Sequence, residues 1–270
     1  MKKISALIIT AVMSVSLFAG CGTNNSSNNN NSQKVDSLQR VKNAGKLTIG
    51  LDDSYPPMEF RDDKNNLVGF DIDLGNELAK KLGVKSEVTT TDFNGILLAL
   101  KSGKFDIILS ALSITDQRKQ EIDFVGPYIE GGQIMVTKKD NDKINTKEDL
   151  KGKVVGAQLG STGEQAAMKV EGIKEVKRYD KITEAFHDLS IGRIDSLIVD
   201  GKVGGYYIKK DGGNYKILNE KLTKEPEGIG IKKEDKELKE ALQKALDELK
   251  ADGTLSKLSM KWFGYDIYKQ

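Results

Sequence analysis

An apolar run from Ile4 to Phe18 follows Met1-Lys2-Lys3 and ends in Ala19-Gly20 before Cys21. A basic start, a short apolar core and small residues at the cut predict a signal peptide over residues 1–20, whose core is too short to span a bilayer comfortably. Asn and Ser then dominate to Ser32, with nothing apolar to bury, so residues 21–37 read as a disordered tether. From Lys46 onward short apolar runs alternate with amphipathic patterns. Lys46–Gly50 predicts a strand. Asp71–Leu82 predicts a helix with Ile72, Leu74, Leu78, Ala79 and Leu82 apolar and Gly83 as its stop. Phe93–Leu100 predicts a further helix and Phe105–Ser110 a strand, which together make an α/β rhythm. No later segment approaches eighteen apolar residues, so the body beyond the tether is expected to be soluble and outside the cytoplasmic membrane.

The chain also echoes itself. Leu100-Lys-Ser-Gly103-Lys104-Phe105-Asp106 precedes an apolar strand ending at Ser110, and Leu189-Ser-Ile-Gly192-Arg193-Ile194-Asp195 precedes one ending at Asp200. In each a helix stops, glycine accepts a left-handed cap, and a buried strand follows. Ligands of open α/β sheets gather at the carboxyl ends of strands, which makes Ser110 and Asp200 candidates; ordinary loop polarity is the competing explanation. A third unit runs through Val154-Val155-Gly156-Ala157 to Gln158-Leu159-Gly160-Ser161-Thr162-Gly163-Glu164, before a helical stretch near Gln165–Lys169. Its glycines, hydroxyls and helix start suit an anion cradle, or equally a capped helix without a ligand. It lacks the lysine and length of a P-loop, and no Gly-x-Gly-x-x-Gly run opens a dinucleotide-binding helix.

Charge and cysteine count narrow the function. The 42 Lys plus Arg face 40 Asp plus Glu, and Lys2 and Lys3 supply the whole excess. The mature chain is therefore balanced, with no basic field for nucleic acid. One Cys and one His cannot form an internal disulfide or a His/Cys zinc site. No metal or other cofactor is expected.

Two resemblances add to this. Leu17-Phe18-Ala19-Gly20-Cys21 resembles a bacterial lipobox, which implies lipidation of Cys21 as residue one of the mature protein; Phe18 departs from the small aliphatic residue usual at its place. Acyl chains at Cys21 would supply the multiple signals that stable anchoring needs. Asp52-Asp-Ser-Tyr55-Pro56-Pro57-Met58-Glu59-Phe60, Gly69-Phe70-Asp71-Ile72-Asp73-Leu74, and Ser110-Ala-Leu-Ser113-Ile114-Thr115-Asp116-Gln-Arg118 with Phe124 together resemble the polar amino-acid-binding proteins of ATP-binding-cassette importers, the group of histidine, lysine/arginine/ornithine and glutamine binders. The likeness runs from about Leu38 to Tyr268 and includes Asp252-Gly253-Thr254 and Lys261-Trp262-Phe263-Gly264.

That resemblance implies a two-lobed, type II periplasmic-binding-protein-like α/β fold with two crossover strands as hinge. Lobe one is expected over residues 38–129 plus 228–270 and lobe two over 130–227. It implies that Arg118 grips a ligand α-carboxylate with Thr162 and the amide of Ser113 as partners, Ser161 lying beside Thr162 in the anion cradle as a further binding candidate, and that Asp200 holds the α-ammonium. A guanidinium offers two parallel charge-assisted bonds that lysine cannot reproduce. Tyr55, Phe60 and Phe93 are expected to wall the side-chain pocket, with Ser110 and Ala111 nearby; core packing is the alternative for the aromatics. Asp52 matches the carboxylate that faces the distal charge in basic-amino-acid binders, although glutamine binders also carry an acid there. Gln158 stands where glutamine binders carry lysine, and a neutral amide there does not repel a cation.

Arginine or lysine is thus the leading ligand, with glutamine, histidine or another polar amino acid as the alternative. The expected partners are a free L-amino acid, a permease with its separate ATPase subunit, and the membrane through the lipid anchor, with the protein acting as a monomer. An enzyme is disfavoured because His187, between Phe186 and Asp188, has no activating context. A dehydratase-like enzyme on the same fold is the remote alternative. A sensory domain is disfavoured because the chain carries only the tether before its body and nothing after Gln270.

Overall fold

The computed structural model describes residues 36–269. The expected signal peptide, the expected lipidation site Cys21 and nearly all of the expected tether lie outside them. The tether's expected end at residue 37 is too late: Asp36 caps a helix by accepting from the Gln39 amide at 2.7 Å, and Ser37 is already helical. In chain order the elements are α1 (Ser37–Ala44), β1 (Lys46–Leu51), β2 (Ser54–Tyr55), β3 (Glu59–Arg61), β4 (Leu67–Val68), α2 (Phe70–Lys81), β5 (Lys85–Thr90), α3 (Ile96–Lys101), β6 (Ile107–Ile108), α4 (Asp116–Glu121) and β7 (Asp123–Gly131). There follow β8 (Gln133–Lys138), β9 (Val154–Gln158), α5 (Thr162–Met168), β10 (Glu175–Tyr179), α6 (Ile182–Ser190), β11 (Ser196–Asp200), α7 (Gly201–Lys210), β12 (Tyr215–Lys221), β13 (Glu225–Ile231), α8 (Lys236–Ala251) and α9 (Thr254–Phe263).

Two five-stranded sheets organise these elements, in the orders β5-β1-β6-β13-β7 and β10-β9-β11-β8-β12. Each has three parallel strands and then antiparallel ones. Helices cover both faces, which is why the central strands read as continuous apolar runs. In β6, Ile107 points into the core with Leu74 and Leu246, whereas Ile108 packs with Ile96 and Phe105 on the other side. In β11, Leu197 and Val199 join Phe186, and Ile198 joins Met135 and Val155.

The chain passes from β7 into the second sheet through Gly132 and returns at β13. These two strands pair with each other from Ile231 opposite Asp123 to Glu225 opposite Gly131, with a register shift between Glu227 and Ile229. The fold is therefore two α/β lobes joined by crossing strands.

The internal echo has a structural basis. Gly103 (φ 78°) and Gly192 (φ 73°) each end a helix in the left-handed region. The next residues close the same cap: Lys104 N donates to Ala99 O at 3.0 Å and Arg193 N to Asp188 O at 2.9 Å. Asp106 then accepts from Thr48 N at 2.9 Å and Asp195 from Val154 N at 2.8 Å, so each aspartate holds the neighbouring strand in its sheet. A Cβ at either glycine would meet nothing within 4 Å, which leaves backbone strain as the only penalty. Gly103→Ala and Gly192→Ala are each expected to lower stability by about 1 kcal/mol, read from urea denaturation midpoints.

Two element expectations are corrected. Within Phe105–Ser110 only Ile107–Ile108 is regular strand, because the Asp106 side chain turns to Thr48 and the chain bends at Ala111 (φ 44°). Phe93–Leu100 begins with a 3-10 turn over Phe93–Gly95 before α3.

Candidate ligand-binding site

The loop after β6 brings Ser110, Ala111 and Ser113 to the mouth of the first sheet. Thr115 caps α4 by accepting from the Arg118 amide at 3.2 Å, which fixes Arg118 in the first turn of that helix. Its Nη1 donates to Ser113 O at 2.9 Å and its Nη2 to Gly160 O at 3.2 Å, while the guanidinium lies 5.5 Å from the centre of the Phe93 ring. Both acceptors are neutral carbonyls. Burial pulls its pKa down to about 10, so it stays cationic at neutral pH.

From the other lobe, β9 delivers Gln158 and the following turn delivers Ser161 and Thr162. Ser161 caps α5, accepting from Glu164 N at 3.0 Å and donating to Gln158 O at 2.7 Å, so its hydroxyl is committed to the backbone. Glu164 reaches back past the cap to accept from Gly160 N at 2.8 Å, which ties the turn to the helix start. Thr162 donates to Glu225 at 2.6 Å, accepts from Gln133 at 3.1 Å, and its hydroxyl stands 3.3 Å from that of Ser113. Asp200 ends β11 and accepts from Gly132 N at 3.0 Å and Lys202 N at 2.8 Å.

One pocket is lined by Tyr55, Phe93, Ser110, Ala111, Ser113, Arg118, Gln133, Gln158, Ser161, Thr162, Asp200 and Glu227. All the sequence-derived candidates are there except Asp52 and Phe60. Asp52 lies just behind the wall. Its Oδ1 accepts from Ser54 N and Oγ, and its Oδ2 from Gln158 Nε2 at 2.6 Å, across the cleft. Burial pushes its carboxyl up, against the pull of Ser54, Lys181 and Gln158. Phe60 is not a pocket residue. Strand alternation turns Glu59 inward and leaves the Phe60 ring against Tyr206 and Trp262, at 5.7 and 6.0 Å between centroids.

Gln133 and Glu227 line the pocket and Glu59, Asp71 and Lys202 stand behind it, and sequence reading singled out none of the five. Ser110 donates to Glu59 at 2.6 Å, while Asp71 accepts from Ala111 N at 2.8 Å and from the Tyr128 hydroxyl at 3.0 Å. Glu59 Oε2 and Asp71 Oδ1 are buried with no hydrogen-bond partner among the described residues, and the nearby Asp71 carboxyl adds to burial in pushing Glu59 up. Burial raises Glu59 well above the ordinary range and Asp71 to about 6. The available signal was an acid set inside an apolar run, in Met58-Glu59-Phe60 and Phe70-Asp71-Ile72.

A cleft between two lobes joined by crossing strands, with a buried cation and buried carboxylates on one pocket, is the arrangement of a solute-binding protein. Residues 47–265 match bacterial extracellular solute-binding proteins, family 3, and the chain belongs to that family. Its L-cystine-binding relative TcyJ of Escherichia coli (strain K12) is 35% identical over 268 residues, spanning 98% of this chain and 95% of its own. The histidine-binding periplasmic protein of the same organism is 38% identical over 232 residues, spanning 82% and 89%. Among solved structures, an ancestral arginine-binding protein bound to arginine matches with a TM-score of 0.79 and 47% identity, over 82% of this chain and 99% of that one. The family is one of binding proteins and not of catalysts.

Proposed function

We propose that the protein captures a free polar amino acid outside the cytoplasm, with arginine or another basic amino acid as its preferred ligand, and hands it to the permease of an ATP-binding-cassette importer. The observation that carries this is Arg118: a buried cation whose hydrogen-bond acceptors are carbonyls, on the same pocket as two buried carboxylates. An α-carboxylate on Arg118 and an α-ammonium at the acidic end complete both charges, which burial would otherwise penalise. Asp52, freed from Gln158, is the partner for a distal cation, and the Phe93 face suits a flat guanidinium. Closure of lobe two (130–227) on lobe one (38–129 plus 228–270) would present the loaded form to the permease, with energy from a separate ATPase. Signal cleavage after residue 20 and lipidation of Cys21 would hold the monomeric receptor at the membrane by the tether.

A second reading, cystine, is supported by the cystine-binding relative that spans almost the whole chain. Calorimetric titration with arginine, lysine, histidine, glutamine and cystine tests the assignment. Arginine is expected to bind most tightly. Glutamine binding more tightly than arginine by about tenfold, roughly 1.4 kcal/mol, would overturn the roles given to Asp52 and Gln158. Saturation with the preferred ligand should also reduce the radius of gyration in small-angle scattering, and an unchanged radius would count against closure.

A further inference from the structure

We propose that Glu227 is a second counter-ion of the ligand ammonium beside Asp200, whose own charge Lys202 balances. The inference deepens the amino-acid reading above and rests on it. Glu227 is 1% exposed and borders the pocket from β13, where its backbone bridges to Ser113.

Hydrogen-bond accounting separates the two carboxylates. Asp200 Oδ2 accepts from Gly132 N, and its Oδ1 takes both the amide of Lys202 at 2.8 Å and its ammonium at 3.1 Å. A carboxylate has roughly four acceptor sites, so Asp200 keeps about one for a ligand whose ammonium has three N–H donors. Glu227 Oε1 takes one donor, Lys202 Nζ at 2.8 Å, and its Oε2 is buried with no partner. Most of the open acceptor capacity at this end therefore belongs to Glu227.

Charge accounting agrees. Lys202, its side chain 8% exposed, contacts both acids. With Glu227 ionised the trio carries one net negative charge, matching one ammonium. With Glu227 protonated the trio is neutral and offers nothing to balance the ligand. The other titratable groups facing Glu227 are Asp71 from α2, Tyr55 from β2, Tyr128 from β7 and Tyr268 near the C-terminus. Burial and Asp200 raise Glu227 to about 8 despite the nearby Lys202, so ligand entry at neutral pH expels a proton from its carboxyl.

Calorimetry of the parent protein with its tightest amino acid from the panel, in two buffers of different ionisation enthalpy, reads that proton directly. Release close to one proton per ligand at pH 7 is expected, and affinity should rise by nearly tenfold per unit between about pH 6.5 and 7.5 before levelling near 8. Glu227→Gln is expected to bind at least about 30-fold more weakly, with no proton release and a flat profile over that range. Pairing it with Lys202→Met restores one net negative charge on Asp200, and the double variant should recover about tenfold or more of the loss. Absence of proton release by the parent overturns the inference without any variant, as does Glu227→Gln binding within about threefold of the parent or keeping the parent's pH slope. A parent that binds none of the amino acids would instead remove the functional reading beneath it.

Discussion

Arg118→Ala is expected to weaken binding of the preferred amino acid by roughly 2 to 5 kcal/mol, about 30-fold to several thousand-fold in Kd. The effect is large because closure buries the ligand carboxylate in a place where Arg118 is the full positive charge on the pocket wall. Ser113 and Thr162 offer only dipoles to that group. Arg118→Lys should recover little, since the guanidinium is held as a fork by Ser113 O and Gly160 O, one from each lobe, and stacks on Phe93. Calorimetry against the parent, beside thermal melts to verify folding, measures both. An Arg118→Ala affinity within about threefold of the parent would remove the carboxylate assignment.

Asp71→Ala is expected to cost about 3 to 5 kcal/mol of stability, measured by urea denaturation, because it strands two buried donors, Ala111 N and the Tyr128 hydroxyl. The Ala111 bond also holds a non-glycine residue at φ 44°, so its loss should loosen the floor of the pocket. Glu59→Gln should lie within about 1 kcal/mol of the parent, since the amide has the shape of the protonated acid and its oxygen still accepts from Ser110. The sign of the pH dependence follows from the raised values. The folded pair keeps a proton that the unfolded carboxyls release above about pH 4, so its contribution to stability falls as pH rises through about 6 and beyond. Stability of the parent relative to Glu59→Gln is therefore expected to decline from about pH 4 to pH 8, and a flat difference would argue against the raised Glu59 carboxyl.

How much of this was readable from residues alone depended on whether the signal was local. The helix–glycine–strand echo needs only nearest neighbours, and Gly103 and Gly192 adopt the backbone their positions required. Loop residues carried by a family motif, from Ser110 to Arg118 and from Gln158 to Thr162, gather at one pocket. Phe60, expected on the pocket wall from its family position with core packing as the alternative, follows strand parity, which sends its neighbour Glu59 inward instead. Glu227 gave no local cue. In Glu225-Pro226-Glu227-Gly228 it reads as one more acid in a polar turn, and only the return of that strand beside Ser113 and Lys202 buries it. The same holds for the Glu59–Asp71 contact, which joins a short strand to a helix start and is invisible to any periodicity.

The position of β13 has a consequence for how the chain acquires its shape. Every strand of the second sheet lies within residues 133–221, so that lobe can complete its hydrogen-bonded ladder from contiguous polypeptide. The first sheet cannot. Its β6 and β7 touch only through β13, which is made after the whole of the other lobe. A nascent or translocating chain must therefore keep the earlier lobe split and its ladder edges open until the later one has emerged, which makes this the stretch of its life most exposed to aggregation.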